Sequence, residues 1–222
     1  LLKINNLSII SHVFKRAEEA NIGEVVVATE DQEIFEDVLK NGGKAILTNK
    51  NHQTGTDRIF EAYKKLNIKD IDYILNLQGD EPDINKDDII NLNNFMIKQD
   101  AELGTLAAKI QDDKMLNNKN IVKVITDKKL VENNFPIALN FTRDNLSTDT
   151  QNIYHHIGIY SYKISILEKF VSLDQTNNEK KNKLEQLRAL DNKLKINVAL
   201  AKSSSIGVDT EEDYLAIKKI ME

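Results

Sequence analysis

Asp80 stands where an apolar segment stops in a polar turn, within Tyr73-Ile74-Leu75-Asn76-Leu77-Gln78-Gly79-Asp80-Glu81-Pro82. Residues 73–77 have the pattern of a strand buried on both faces of a parallel sheet. Gly79 permits a sharp turn, and Pro82 fixes its own φ and biases Glu81 away from helix, which places the polar groups at the strand's carboxyl end. In open α/β sheets ligands bind at that edge. A carboxylate there could hold magnesium against the phosphates of a nucleotide. The same residues would also serve as a plain strand-ending turn.

Other stretches offer complementary chemistry. His52-Gln53-Thr54-Gly55-Thr56-Asp57-Arg58 sets hydroxyls, a glycine and backbone donors at a helix start, which suits a phosphate or a polar base edge; helix capping with a surface arginine reads equally from it. His155 and His156 are adjacent in a strand pattern and point to opposite faces, which argues against a shared zinc ion. Tyr160 lies an even number of residues beyond His156, so the two share a face as a candidate pair of substrate contacts. Arg143 follows a strand and could grip a carboxylate in bidentate fashion. Glu185 and Gln186, beside Leu184 and Leu187, read as part of a surface helix. Gly207-Val208-Asp209-Thr210 is a second glycine-to-acid turn before a helix. Asp209 is a candidate cap, and with Asp80 it supplies the second carboxylate of a metal site.

The elements that must position these residues alternate. Ser8 caps a helix with Ile9, Ile10, Val13, Phe14 and Ala17 on one side, ending near Asn21-Ile22-Gly23. Val25-Val26-Val27-Ala28 reads as a buried strand, and Thr29-Glu30-Asp31 caps a helix stopped by Asn41-Gly42-Gly43. Ala45-Ile46-Leu47 is the next strand, Thr54 to Asp57 opens a third helix, and the strand leading to Asp80 follows. This βαβα order predicts a parallel sheet covered by helices. A helix over 87–98 and a strand over 103–108 continue it. Strands at 121–126, 138–142 and 155–162, without a full helix between the first two, predict an antiparallel excursion. The polar stretch 144–152 reads as a loop, 164–173 and 179–190 as helices, 195–201 as a strand, and Thr210-Glu211-Glu212-Asp213 as the start of the last helix. The expected fold is α/β: three layers around a mainly parallel, mixed sheet in a single domain over 1–222.

Composition narrows the function classes. The chain has 222 residues, 41% of them hydrophobic, enough for a real core, and a net charge of -5 with acids and bases interspersed. No broad basic face is offered to nucleic acid or to an anionic membrane. No apolar run approaches the roughly 20 residues that span a bilayer. There is no cysteine, which excludes disulfides and thiolate metal sites and fits a cytoplasmic location.

Taken in order, these residues resemble the 3-deoxy-manno-octulosonate (Kdo) cytidylyltransferase, or CMP-Kdo synthetase, family. The likeness runs through His52 to Arg58, Asn76 to Pro82, Phe141-Thr142-Arg143, His156-Ile157-Gly158-Ile159-Tyr160, Leu184-Glu185-Gln186-Leu187-Arg188 and Gly207 to Thr210, across nearly the whole chain. It implies a nucleotide-diphospho-sugar transferase-like fold and transfer of a cytidylyl group from CTP to Kdo, with release of pyrophosphate. Asp80 and Asp209 would be the magnesium ligands, and Gln78, Arg143, His156, Tyr160, Glu185 and Gln186 would hold the sugar. Gln53, Thr54, Gly55, Thr56 and Arg58 would lie by the cytidine. It also implies a cytoplasmic homodimer serving lipopolysaccharide synthesis, with 121–162 as the contact region. Neither nucleic acid nor membrane is an expected partner.

The sequence departs from the family pattern in places. Members begin with a strand and an Arg- and Lys-bearing glycine loop around the triphosphate, which would end just before Leu1-Leu2 and has no counterpart in this sequence. Asp144-Asn145-Leu146 follows Arg143 where an Ile-Pro pair is usual, Ser205-Ile206 replaces a glycine-rich approach to Asp209, and His155 stands where arginine is common. These bear on the shape of the sugar pocket and leave two alternatives: a CMP transferase for another acid sugar such as sialic acid, or a non-catalytic domain of this fold that binds nucleotide or partners.

Overall fold

The computed structural model describes residues 1–147, 150–205 and 207–222. In chain order the strands are β1 (Lys3–Ile4), β2 (Leu7–Ser8), β3 (Val27–Thr29), β4 (Ala45–Leu47), β5 (Tyr73–Asn76), β6 (Leu103–Ala108), β7 (Lys123–Thr126), β8 (Ala138–Thr142), β9 (Ile153–Lys163) and β10 (Ile196–Leu200). The α-helices are α1 (Ile9–Ala20), α2 (Gln32–Lys40), α3 (Gly55–Leu66), α4 (Lys86–Gln99), α5 (Ile164–Val171), α6 (Asn177–Asn182), α7 (Gln186–Asp191) and α8 (Glu211–Met221). The chain gathers into two compact units: Leu1–Asp70 with Asn76–Ile90 and Ser205–Glu222, and Ile71–Leu75 with Asn91–Ser204.

In the first unit, capping residues set where helices begin. The Ser8 hydroxyl oxygen accepts from Ser11 N at 3.2 Å and donates to Asp37 Oδ2 at 2.5 Å, so the first turn of α1 is satisfied and tied to α2. Val13, Phe14 and Ala17 then fall on one buried face. Asn21, left-handed at φ 50°, ends the helix where the sequence places its stop. Asp31 accepts from the amides of Glu33 and Ile34 to start α2. The helix leads back to a parallel β3–β4 pair with Val27 opposite Ala45. A Cβ at Gly43 would lie 2.7 Å from Val38 Cγ1, so glycine is what lets the chain turn back this close to α2. β3 starts two positions later than expected and is half-buried over Val27 and Ala28.

The second unit is built on a six-stranded mixed sheet of order β10-β6-β9-β7-β8, with β5 also pairing β9. All of β6 is buried, between a parallel β10 and an antiparallel β9, which explains its uninterrupted run of small and apolar residues. β9 is eleven residues long and pairs β6 and β7, while β7 in turn pairs β8, all antiparallel. The expected excursion is therefore present, in a fold of the expected α/β class. β5 is only half-buried at Tyr73, Ile74 and Leu75, not covered on both faces, because among the described residues β9 is its one strand partner.

The charged helix expected over 179–190 is two short helices. Lys183 takes a left-handed conformation at φ 53° and ends α6, which turns Leu184 inward to 4% exposure before α7 begins. Of the polar loop 144–152, Thr148 and Asp149 lie outside the described residues, as does Ile206.

The core of the second unit leaves one backbone position without room for a side chain. A Cβ at Gly104 would stand 2.5 Å from Met96 Sδ and 2.8 Å from Phe135 Cζ, whereas one at Gly23 would meet nothing within 4 Å. Gly104→Ala is expected to lower stability to urea by about 1–3 kcal/mol through overpacking, and Gly23→Ala to change it by no more than about 0.5 kcal/mol.

Candidate functional site

The two glycine-to-acid turns come together in the first unit. Val208 N donates to the Asp80 carbonyl at 2.9 Å, and a Cβ at Gly207 would stand 3.5 Å from Asp80 Oδ2. Asp209 is not the cap of α8. Thr210 is: its hydroxyl oxygen accepts from Asp213 N at 3.2 Å while Asp213 Oδ2 accepts from Thr210 N at 2.9 Å, a reciprocal capping box. The Asp209 carboxylate is thus left at the surface, close enough that its charge, after burial, helps to raise the pKa of Asp80. A carboxylate whose charge is disfavoured by burial and by a neighbouring acid is one that a cation would relieve. Among the described residues no group of three or more His, Cys, Asp or Glu side chains could hold a metal. Two carboxylates completed by substrate phosphate oxygens match the way magnesium is usually held, so the donor set fits that ion.

Gly79 is needed here for space, since a Cβ would lie 2.9 Å from Ile10 Cδ1; its φ is not in the left-handed region. Glu81, next in the turn, is half-buried and accepts a short hydrogen bond from the Ser205 hydroxyl. Burial pushes its pKa up to about 7, Ser205 opposes that, and the charges of Asp80 and Asp83 add to it. In the sequence Glu81 reads as part of the turn and Ser205 only as a departure from the family pattern, so their pairing is visible in the structure alone. Gln78 is exposed at the same turn.

The segment expected by the cytidine also lies in this unit. Thr54 caps α3, accepting from Asp57 N at 3.2 Å and donating to Asp57 Oδ2 at 2.8 Å. Gly55 and Gln53 are exposed, while Thr56 is buried at 1% exposure. Arg58 bonds Glu30 at 2.6 Å and the Thr48 hydroxyl at 2.7 Å, so it is already engaged in this structure. His52 pairs with Glu61, whose pKa is held down at about 2 by Lys65, the Asn49 amide and His52.

Of the residues expected to hold a sugar, Arg143, His156, Tyr160, Glu185 and Gln186 lie in the second unit, whereas Gln78 belongs to the first. The His156 ring sits 5.0 Å from the Phe141 ring and 5.5 Å from the Tyr160 ring, and both His156 and Tyr160 are at most 9% exposed. Burial holds His156 neutral, with its pKa pushed down to about 3, and the charges of His155 and Arg143 act in the same direction. Burial pushes the Tyr160 hydroxyl well up, with Tyr162 and Glu185 adding to the shift. The Tyr160 hydroxyl is also a buried polar group without a hydrogen-bond partner among the described residues, the kind of group a ligand satisfies. Arg143, just past β8, donates from Nη1 to the carbonyls of Lys119 and Asn120 at 3.3 and 3.0 Å.

Its placement depends on Lys123, which is fully buried and donates from Nζ to the carbonyls of Arg143 and Asn118, both at 3.1 Å. Glu185 and Gln186 stand at the start of α7, which packs against β8. That start is fixed by a pair hidden in the charged pattern: Arg188 donates from Nε and Nη2 to Glu179 at 2.9 and 2.5 Å, and its guanidinium lies 4.7 Å from the Phe170 ring centre. At 2% and 4% exposure, Arg188 and Glu179 are core residues, not the surface helix that periodicity suggests.

Removing one partner of a buried pair strands the other charge. Arg188→Met is expected to cost about 3–5 kcal/mol in urea unfolding, and adding Glu179→Gln to recover most of it. For Glu81 the folded-state pKa exceeds the unfolded one, so the folded chain binds the extra proton and stability falls as pH rises from about 4.5 to about 7. Glu81→Gln should match the parent in thermal unfolding at acid pH and exceed it by on the order of 2 kcal/mol above neutrality without divalent cations.

A family model described as cytidylyltransferase matches residues 1–196. The chain is 41% identical to the 3-deoxy-manno-octulosonate cytidylyltransferase of Thermodesulfovibrio yellowstonii, over 98% of this chain and 89% of that protein. It is 37% identical to the protein of the same name in Bartonella bacilliformis, over 100% of this chain and 90% of that one. The solved structure of CMP:2-keto-3-deoxy-manno-octonic acid synthetase complexed with CTP superposes with a TM-score of 0.89 at 31% identity, over 100% of this chain and 90% of that one. With an acidic pair at joined turns, a buried polar cluster on β9 and relatives this similar along their length, the chain belongs to the 3-deoxy-manno-octulosonate cytidylyltransferase family.

Proposed function

We propose that this chain activates Kdo with CTP, giving CMP-Kdo and pyrophosphate. The anomeric hydroxyl oxygen of the sugar bonds to the α-phosphorus of CTP, the bond from that phosphorus to the bridging oxygen breaks, pyrophosphate leaves, and the hydroxyl proton passes to solvent. The observation that carries this reading is the junction of the Asp80 and Asp209 turns through the Val208 amide. Asp80 and Asp209 would hold magnesium, which when bound neutralises phosphate oxygens and lowers the pKa of an attacking hydroxyl.

The protein's own groups bind and orient. Arg143 would meet the sugar carboxylate, Gln78, His156, Tyr160, Glu185 and Gln186 its hydroxyls, and Gln53, Thr54, Gly55, Thr56 and Arg58 the cytidine. Neutral His156 and the protonated Tyr160 hydroxyl suit uncharged hydroxyl partners, and they leave the carboxylate to the permanent charge of Arg143. Positioning and charge stabilisation of this kind need no protein nucleophile.

The reading extends to assembly and place. Residues 1–222 would act as one catalytic chain. Val131 and Leu139 are apolar and 44% and 60% exposed within the excursion, which supports a homodimer contact there. No helix among the described residues is long and apolar enough to cross a membrane, in keeping with cytoplasmic work in lipopolysaccharide synthesis.

Pyrophosphate release from CTP is the test, run with Kdo, with sialic acid and with magnesium withheld. Release with Kdo and magnesium is expected, and sialic acid should support it at least about a hundredfold less well. Asp80→Asn and Asp209→Asn should each lower kcat/KM by about a hundredfold or more. Full activity in both variants would refute the assigned roles.

A further inference from the structure

Thr105 belongs to none of the stretches that suggested chemistry in the sequence, yet among the described residues it is the one protein group hydrogen-bonded to the His156 ring. It lies on β6, is 0% exposed, and sits where the register between β6 and β9 shifts, at Thr105/Leu106. Its hydroxyl oxygen is 3.0 Å from His156 Nε2, 2.7 Å from the Ile159 carbonyl oxygen and 3.2 Å from the Ile157 carbonyl oxygen.

Counting protons decides the direction of each bond. A threonine hydroxyl has a single hydrogen, and a carbonyl oxygen can only accept. If that hydrogen went to His156 Nε2, two carbonyl oxygens would face the threonine lone pairs in a site sealed from water, with an unsatisfied acceptor and direct repulsion. The hydrogen therefore goes to the nearer carbonyl, that of Ile159, and the threonine oxygen accepts from Nε2–H. We infer that Thr105 is a positioning residue that fixes His156 in the Nε2–H tautomer, leaving Nδ1 as a bare acceptor that selects a hydroxyl-bearing ligand over a carboxylate.

The surroundings agree. Nδ1 has no hydrogen-bond partner among the described residues, and the ring plane is set by Phe141, edge-on at 80°, and by Tyr160. Burial keeps the ring uncharged, so Nδ1 stays an acceptor through the neutral range. An acceptor held this way bonds a hydroxyl and repels an anionic oxygen. That difference separates the two ends of an acid sugar and favours one orientation of it. The tautomer follows from this structure alone; that the hydroxyl belongs to Kdo rests on the function proposed above.

The test has two independent readouts. Ring-nitrogen NMR of the unliganded full chain, labelled at histidine and assigned with His156→Gln, should show His156 with Nε2 protonated and Nδ1 bare. Thr105→Val, which keeps the shape and removes the acceptor, should shift the ring toward the other tautomer and raise KM for Kdo about tenfold, with KM for CTP changed less than about twofold. Thr105→Ser should behave as the parent in both measurements. A parent ring protonated at Nδ1, or a folded Thr105→Val chain with unchanged tautomer and KM, would overturn the inference. Should the valine variant not fold, the parent spectrum and the serine variant still decide, because an Nδ1–H ring in either one refutes it. Failure of the parent to use Kdo would defeat the proposed function and leave the unliganded spectrum to judge Thr105 by itself.

Discussion

A polar side chain taken out of water must be met by a partner, and the second unit is organised around meeting that demand along β9. His156 has Thr105, whose hydroxyl in turn has the carbonyl of Ile159, made available where the β6–β9 register shifts. Without that irregularity a buried threonine would face a regular ladder whose carbonyls are already engaged. Lys123, with no exposed surface, is tolerated because two carbonyls accept from it, one of them Arg143's own. Glu179 and Arg188 answer each other in bidentate fashion and lean on Phe170. Along β9 the exceptions among the described residues are His155 Nδ1, the Tyr160 hydroxyl and the Ser161 hydroxyl, and of these Tyr160 is among the residues assigned to the sugar.

The first unit poses the opposite problem, of charge that is not neutralised within the protein. The Val208 amide brings two acidic turns together, and burial together with the neighbouring Asp209 makes ionised Asp80 harder to sustain. Glu81 carries a larger penalty of the same kind, moderated by Ser205. Folding accepts this local cost because helix caps and tight turns supply it with a frame: Thr210 and Asp213 fix the start of α8, and the Val208 bond fixes the approach to it. On the proposed function, a site of this kind would favour a cation and polyanion over an empty state, which is how electrostatic pre-organisation acts.

Local signals mark most element positions. Period and capping residues identify α1, α2, α3 and α8, and an uninterrupted apolar run identifies β6, because each rests on neighbours within a few positions. The pairing of His156 with Tyr160 was legible for the same reason, since parity along a strand is local. What escaped was settled by distant partners. Glu179 and Arg188 look like the outside of a charged helix until Lys183 turns left-handed and Leu184 is drawn into the core. Thr105 reads as a small residue in a buried strand, and only its pairing with a strand whose His156 is 51 positions away in sequence reveals a hydroxyl set against an imidazole. The half-burial of β5 belongs to the same class, since periodicity reports what a strand wants and not how many neighbours it finds.

On the proposed function, these two solutions would serve different halves of one reaction. Transfer to phosphorus asks for dense charge, which the paired carboxylates at joined turns would provide with the cation proposed for them. Choosing among acid sugars that differ in hydroxyl placement asks for neutral donors and acceptors whose direction cannot change, and rigid burial provides that. A histidine free to switch tautomers would accept from one sugar and donate to another, with little discrimination between them. Held by a threonine whose only hydrogen is committed elsewhere, it can do one of the two, so specificity is set on a strand that need never touch the ligand.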